Sequence, residues 1–204
     1  EDQFRKQFPD GSFADYLKNI KLFTEEQLRD IASCGLLGLG YLHKEKTIHR
    51  VLICSSNNAK DIKPENMFIS EGGWIKLGDL GFAKQIINSA TSNSCVCGTS
   101  EYMAPEVFKG EAKMKSDVWS LGVSLFELAE CQNPFKGNGN LTLMITAVGL
   151  FVDDAIICDE EPPSLPEGKW SPEFVDFIRM CLIKDVNERW NVKHLMEVID
   201  CDMV

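Results

Sequence analysis

The sequence has no CxxC pair and only three histidines in 204 residues. A zinc site needs four convergent ligands at workable spacing, so a structural zinc module is not expected. Cys34, Cys54, Cys131, Cys158, Cys181 and Cys201 stand apart in mostly apolar contexts, and Cys95 and Cys97 form a CxC with no histidine beside it. They read as plain thiols. Apolar length is scarce too. The longest apolar-looking run, LTLMITAVGLFV, is broken by threonines and a glycine. It falls short of the about 20 residues a membrane-spanning helix needs. No basic and apolar start resembling a signal peptide is present. Basic residues are in deficit: 21 Lys and Arg stand against 31 Asp and Glu, a net charge of -10. An acidic surface repels phosphate backbones and anionic headgroups, so neither nucleic acid nor membrane is expected as a partner. The expected location is cytoplasmic, as a soluble intracellular chain.

Internal repeats and low-complexity linkers are also missing, as is the strand-helix alternation that builds a parallel sheet. Hydrophobic residues make up 44% and charged residues 25%, the balance of a globular protein. A chain of this length should bury roughly 70% of its unfolded surface, which suits one domain spanning 1–204.

Thr24-Glu25-Glu26-Gln27 is a capping box. It opens a helix whose apolar face is Leu28, Ile31, Ala32, Leu36, Leu39 and Leu42. MFIS, then EGG, then WIKL predicts a β-hairpin with a glycine turn. SDVWSLGVSLFELAE begins with a serine suited to the N-cap and is apolar nearly all round, which predicts a buried central helix. Ser171-Pro172-Glu173 starts another helix, with Phe174, Val175, Ile178, Cys181 and Leu182 facing its core. A short last helix carries Val192, Leu195, Met196 and Ile199. The expected fold is mainly α with a small β-hairpin.

DIKPEN gathers Asp61, Lys63 and Asn66 in one tight loop, and KLGDLG brings Asp79 at the far end of the hairpin. Asn66 and Asp79 offer oxygen ligands for a hard cation such as Mg²⁺. Asp61 offers a carboxylate that can accept a hydroxyl proton, with the Lys63 cation beside it. Phosphoryl transfer needs these parts, since it runs on positioning and charge neutralisation. Taken singly, DxKxxN is a common loop composition, and an aspartate before glycine is usually a turn. The order of the whole set is what carries weight.

In that order, the chain resembles the C-terminal lobe of a eukaryotic protein kinase of the serine/threonine type. His49-Arg50 and Asp61-Ile62-Lys63-Pro64-Glu65-Asn66 resemble the catalytic loop. Asp79-Leu80-Gly81 resembles the metal-binding DFG motif, with leucine in place of phenylalanine. CGTSEYMAPE ends in the APE motif, Ala104-Pro105-Glu106, and Asp117-Val118-Trp119-Ser120-Leu121-Gly122 resembles the central F helix. Arg189 falls where the family carries the arginine that pairs with the APE glutamate.

The resemblance implies ATP and Mg²⁺ as cofactors and a protein Ser or Thr hydroxyl as acceptor. Asp61 would be the catalytic base, Lys63 would stabilise the γ-phosphate, and Asn66 and Asp79 would hold the metal. Lys63, Glu65, Asn66 and Asp79 would form the nucleotide side. Thr99 would brace Asp61 and Lys63, Asp117 would hold the catalytic-loop backbone, and Glu106 and Arg189 would pair. Ser89, Thr91, Ser92 and Ser94, in the activation segment, are candidate sites for an upstream kinase, with Arg50 to grip the phosphate.

Two departures stand against that pattern. No glycine-rich loop, β3 lysine or C-helix glutamate appears in the sequence, and residues 9–20 resemble a hinge remnant followed by helix D. The expectation is a fragment with the N-terminal β lobe absent, inactive on its own. The second departure lies between His49-Arg50 and Asp61. Without residues 51–60 the text reads IHRDIKPEN, the family pattern unbroken. Lengthening a surface loop costs only about 0.6 kcal/mol per doubling. Misplacing a catalytic group by about 1 Å can cost roughly 100-fold in rate. The lobe should therefore fold while Asp61 loses support, with Lys60 as a weaker stand-in for Arg50. A valine codon begins with GT and a lysine codon can end with AG, so residues 51–60 read as a retained intron or gene-model error. Residues 149–158 are a second candidate insertion. The alternative function is a catalytically dead lobe that binds proteins.

Overall fold

A computed structural model describes residues 11–19, 22–44, 47–48, 62–69, 75–77, 84–85, 99–136 and 157–201. Asp61, Asp79, Arg50, the activation-segment hydroxyls, residues 51–60 and most of 149–158 lie outside the described residues.

The described elements are mostly helical, as expected. Strand β1 (Gly11–Ser12) leads into helix α1 (Phe13–Asn19). Helix α2 (Glu25–Lys44) follows, then strand β2 (Thr47–Ile48), β3 (Met67–Ile69), β4 (Ile75–Leu77) and β5 (Lys84–Gln85). A short helix α3 (Pro105–Phe108), the long α4 (Met114–Glu130), α5 (Pro172–Cys181) and α6 (Val192–Cys201) complete the order.

The predicted hairpin is present as β3 and β4, antiparallel with Met67 opposite Leu77 and Ile69 opposite Ile75. The described strand residues are Met67–Ile69 and Ile75–Leu77, and β1 adds a third strand by pairing Ser12 with Phe68. A separate antiparallel pair joins Ile48 to Lys84. Ser12 and Asp15 serve the first turn of α1. Ser12 Oγ donates to Asp15 Oδ2 at 2.7 Å, and Asp15 N donates back to Ser12 Oγ at 3.3 Å.

The capping box at the start of α2 is closed on both sides. Gln27 N donates to Thr24 Oγ1 at 3.3 Å, and Thr24 N donates to Gln27 Oε1 at 2.9 Å. All six residues of the expected apolar face are buried. A fully buried leucine or isoleucine contributes about 1.5–3 kcal/mol, so this face alone accounts for much of what holds α2 in place.

Helix α4 runs through the middle of the core and is buried on nearly every side, as expected. Its start is a correction. Ser116 is the third helical residue rather than the cap, because the helix begins at Met114. The Ser116 hydroxyl accepts from Lys113 N at 2.9 Å, so it still satisfies an orphan donor of the first turn.

Gly122 is where α4 meets α5. A Cβ there would lie 2.6 Å from Cys181 Cβ and 3.1 Å from Leu182 Cδ2. The nearer atom is tied to backbone and cannot swing aside. Gly122→Ala is expected to destabilise the protein by about 1–3 kcal/mol in urea unfolding, despite alanine's better helix propensity. A gain in stability would show that the helices separate freely.

Helix α5 is capped as predicted. Ser171 Oγ accepts from Phe174 N at 3.1 Å. The same hydroxyl donates to Glu25 Oε1 at 2.5 Å, and Ser171 N donates to Glu25 Oε2 at 2.8 Å. The start of α2 and the start of α5 are thus one hydrogen-bonded unit. Phe177, which the expected core face of α5 omits, is buried, while Val175 is only partly so.

Candidate active site

The DIKPEN loop turns into a short 3-10 helix at Pro64–Asn66, with proline at its first position, and runs directly into β3. Asn66 N donates to Lys63 O at 2.8 Å, which closes the turn. Ile62 is buried and Lys63 half-buried, so the loop is pinned by its apolar residue and presents its cation.

Lys63 Nζ lies 2.7 Å from Thr99 Oγ1, across 36 residues of chain. A protonated amine has only donors, so the threonine oxygen accepts. Thr99 precedes a 3-10 turn at Ser100–Tyr102, closed by Tyr102 N donating to Thr99 O at 3.1 Å. Of the sequence-derived site residues, the structure brings these two into contact. It places Glu65 exposed and Asn66 half-buried in the same turn.

Three serines on one face of α4, spaced by four residues, hold a carboxylate and two backbone carbonyls outside the helix. Ser116 Oγ lies 2.6 Å from Glu106 Oε1, Ser120 Oγ donates to Tyr102 O at 2.8 Å, and Ser124 Oγ donates to Ile62 O at 3.0 Å. The expectation of a helix apolar nearly all round does not pick out this column. Its signal was the i, i+4, i+8 spacing, which puts Ser116, Ser120 and Ser124 in one row.

Asp117 is nearly buried, and its Oδ2 lies 2.9 Å from His43 Nε2 at the end of α2. Nothing in the sequence around His43 announced that partner. Tyr102 donates its hydroxyl to Glu127 Oε2, which also accepts from Asn133 Nδ2 at 3.3 Å. Burial pushes the Glu127 carboxyl above the ordinary glutamate value, against the pull of those hydrogen bonds. Burial and the neighbouring Glu127 charge likewise push the Tyr102 phenol up.

Glu106 and Arg189 pair as the resemblance implies. Arg189 Nη1 donates to Glu106 Oε1 at 2.7 Å and Nη2 to Oε2 at 2.9 Å. The remaining guanidinium protons go to Lys115 O, Ile183 O and Lys184 O, so all five are used. The guanidinium also sits 5.1 Å over the Trp119 ring. Desolvation raises the Glu106 carboxyl, but the Arg189 hydrogen bonds and charge, with Ser116, outweigh it and hold it below the usual glutamate value.

Comparison with known proteins agrees with this arrangement. The family described as "Protein kinase domain" matches residues 6–198. The chain is 36% identical over 190 residues to "Serine/threonine-protein kinase pakH" of Dictyostelium discoideum, covering 92% of this chain and 33% of that protein. It is 37% identical to "Mitogen-activated protein kinase kinase 2" of Arabidopsis thaliana, covering 92% of this chain and 48% of that one. It is 34% identical to "Serine/threonine-protein kinase hippo" of Drosophila melanogaster, covering 92% and 25%. The chain thus spans at most about half the length of these relatives. By this match the chain belongs to the protein kinase family.

Proposed function

We propose that the chain carries the catalytic half of a serine/threonine protein kinase, which transfers the γ-phosphate of Mg·ATP to a protein Ser or Thr hydroxyl. The observation that carries the reading is the 2.7 Å contact between Lys63 and Thr99. It joins the phosphate-facing cation to the segment that receives the substrate. Lysine here, with threonine opposite, suits a hydroxyl acceptor on an aliphatic side chain.

The roles follow from position. Asp61 is covalently next to Ile62, whose carbonyl is held by Ser124, and would accept the acceptor's proton. Lys63 would neutralise charge on the transferred phosphoryl group. Asn66 directly precedes Met67, and Met67 pairs with Leu77, two residues before Asp79. Asn66 and Asp79 flank the hairpin in sequence and would supply two oxygen ligands to the metal. Magnesium would supply charge neutralisation between β- and γ-phosphates. Phe68 offers a 39% exposed ring on β3, one residue beyond Met67, as a flat apolar surface for the purine. Residues 11–19, a strand and a helix, fit a linker between lobes and helix D. An upstream kinase acting on the activation segment belongs to the same reading, as does an intracellular location.

The test is thermal stabilisation by Mg·ATP. A ligand at 100 times its Kd adds about 2.7 kcal/mol, a shift of several degrees. The expected result is a shift with millimolar Mg·ATP that disappears in Asp79→Ala and shrinks in Phe68→Ala. No shift in the native chain would instead favour the alternative of a catalytically dead, protein-binding lobe.

A further inference from the structure

The two backbone segments that carry Lys63 and Thr99 are each gripped by one hydroxyl of the same helix. Ser124 is fully buried, and its single proton lies between Ser120 O at 2.8 Å and Ile62 O at 3.0 Å. The Ile62 carbonyl belongs to the peptide bond whose nitrogen is that of Lys63. Ser120, 2% exposed, lies 2.8 Å from Tyr102 O and 3.3 Å from Ser116 O. Tyr102 N closes the turn back onto Thr99 O. One helical turn, about 5.4 Å, separates the two grips.

A serine in a buried helix ordinarily returns its proton to the carbonyl four residues back and gains little. An alanine would serve the packing as well. Here each hydroxyl also reaches a carbonyl outside the helix, and the two carbonyls belong to the two segments whose side chains meet. We propose that Ser120 and Ser124 are a positioning pair: α4 sets the separation of the two backbones, and so makes the Lys63–Thr99 contact a property of the folded helix. Two loops left to themselves would have to find that contact against their own conformational entropy. The catalytic consequence of the pair rests on the kinase reading above; the positioning itself does not.

The experiment is a double-mutant cycle read by urea unfolding of the full chain. Lys63→Met and Thr99→Val are made singly and together, first in the native background and then in Ser120→Ala and in Ser124→Ala. These alanines keep Cβ and remove one oxygen, so each background should fold. Any general loss of stability is common to all four members of a cycle and cancels. The Lys63–Thr99 coupling is expected to fall to less than about half in either alanine background. Ser33→Ala is the control, since Ser33 Oγ donates within α2 to Arg29 O at 2.8 Å. It should lower stability and leave the coupling as it was.

A coupling that survives unchanged in both alanine backgrounds, or that is absent in the native chain, overturns the inference. Failure of Mg·ATP to stabilise the protein would end the kinase reading and leave this result standing, because no nucleotide enters the measurement.

Discussion

Arg189→Ala is expected to lower stability by about 3–5 kcal/mol, enough to unfold a large share of a domain whose total is about 5–15 kcal/mol. The reason is what it leaves behind. Arg189 is 0% exposed and Glu106 6%, so the substitution strands a buried carboxylate and empties the place of the guanidinium over the Trp119 ring. It also strips donors from three backbone carbonyls, at Lys115, Ile183 and Lys184. Removing both charges should hurt less. In Glu106→Leu with Arg189→Met, no ion is left unpaired, and replacing a buried pair by apolar groups of similar size is often close to neutral. Urea unfolding of the single and double variants checks this. A double variant no more stable than Arg189→Ala would place the cost in the lost carbonyl bonds instead. The pH dependence has a fixed sign. The Glu106 carboxyl sits below its usual value of 4.5 in the folded protein. Its contribution is present in full above the unfolded value and is lost as pH falls through the folded one. Acid unfolding should therefore steepen below about pH 4.5, and that part of the slope should vanish in Glu106→Gln.

In a kinase domain completed with an N-terminal lobe, Asp61→Asn is expected to lower phosphoryl transfer to a serine peptide by about 10²–10⁴-fold, the range for loss of a general base. Stabilisation by Mg·ATP should persist, because the role proposed for Asp61 is toward the acceptor rather than the metal. Asp79→Ala should do the opposite and remove the nucleotide effect itself. The comparison belongs in the form with residues 51–60 excised, where IHRDIKPEN is continuous. Excision alone should raise the rate by about 100-fold if the extra residues displace Asp61 by about 1 Å. Equal rates with and without Asp61 would sink its assignment as base.

Some of this was written locally in the sequence. The Thr24–Gln27 capping box, the Ser171 cap and the apolar stripe of α2 are set by neighbours three or four residues away, and each appears where the sequence puts it. The Glu106–Arg189 pair spans 83 residues, and only the family pattern pointed to it. Ser116 shows the limit of local signals. It has the side chain of an N-cap, yet the helix starts two residues earlier, at Met114, and Ser116 closes a capping box with Lys113 from the third position. The bonds of Ser120 and Ser124 were hidden by composition. In a run of apolar residues a serine reads as a small neutral filler, and its partner carbonyls lie 18 and 62 residues away. The same holds for His43 and Asp117, 74 residues apart.

Ser171 has one proton, which Glu25 accepts, while Phe174 N donates to the same hydroxyl oxygen. The beginning of the long amphipathic helix near one end of the chain and that of a helix near the other end thus share a single clasp. Neither can fray without loosening the other. Amide exchange at Leu28 and at Phe174 should accordingly slow and quicken together as conditions change, so that the first and last thirds of the chain melt as one cooperative block.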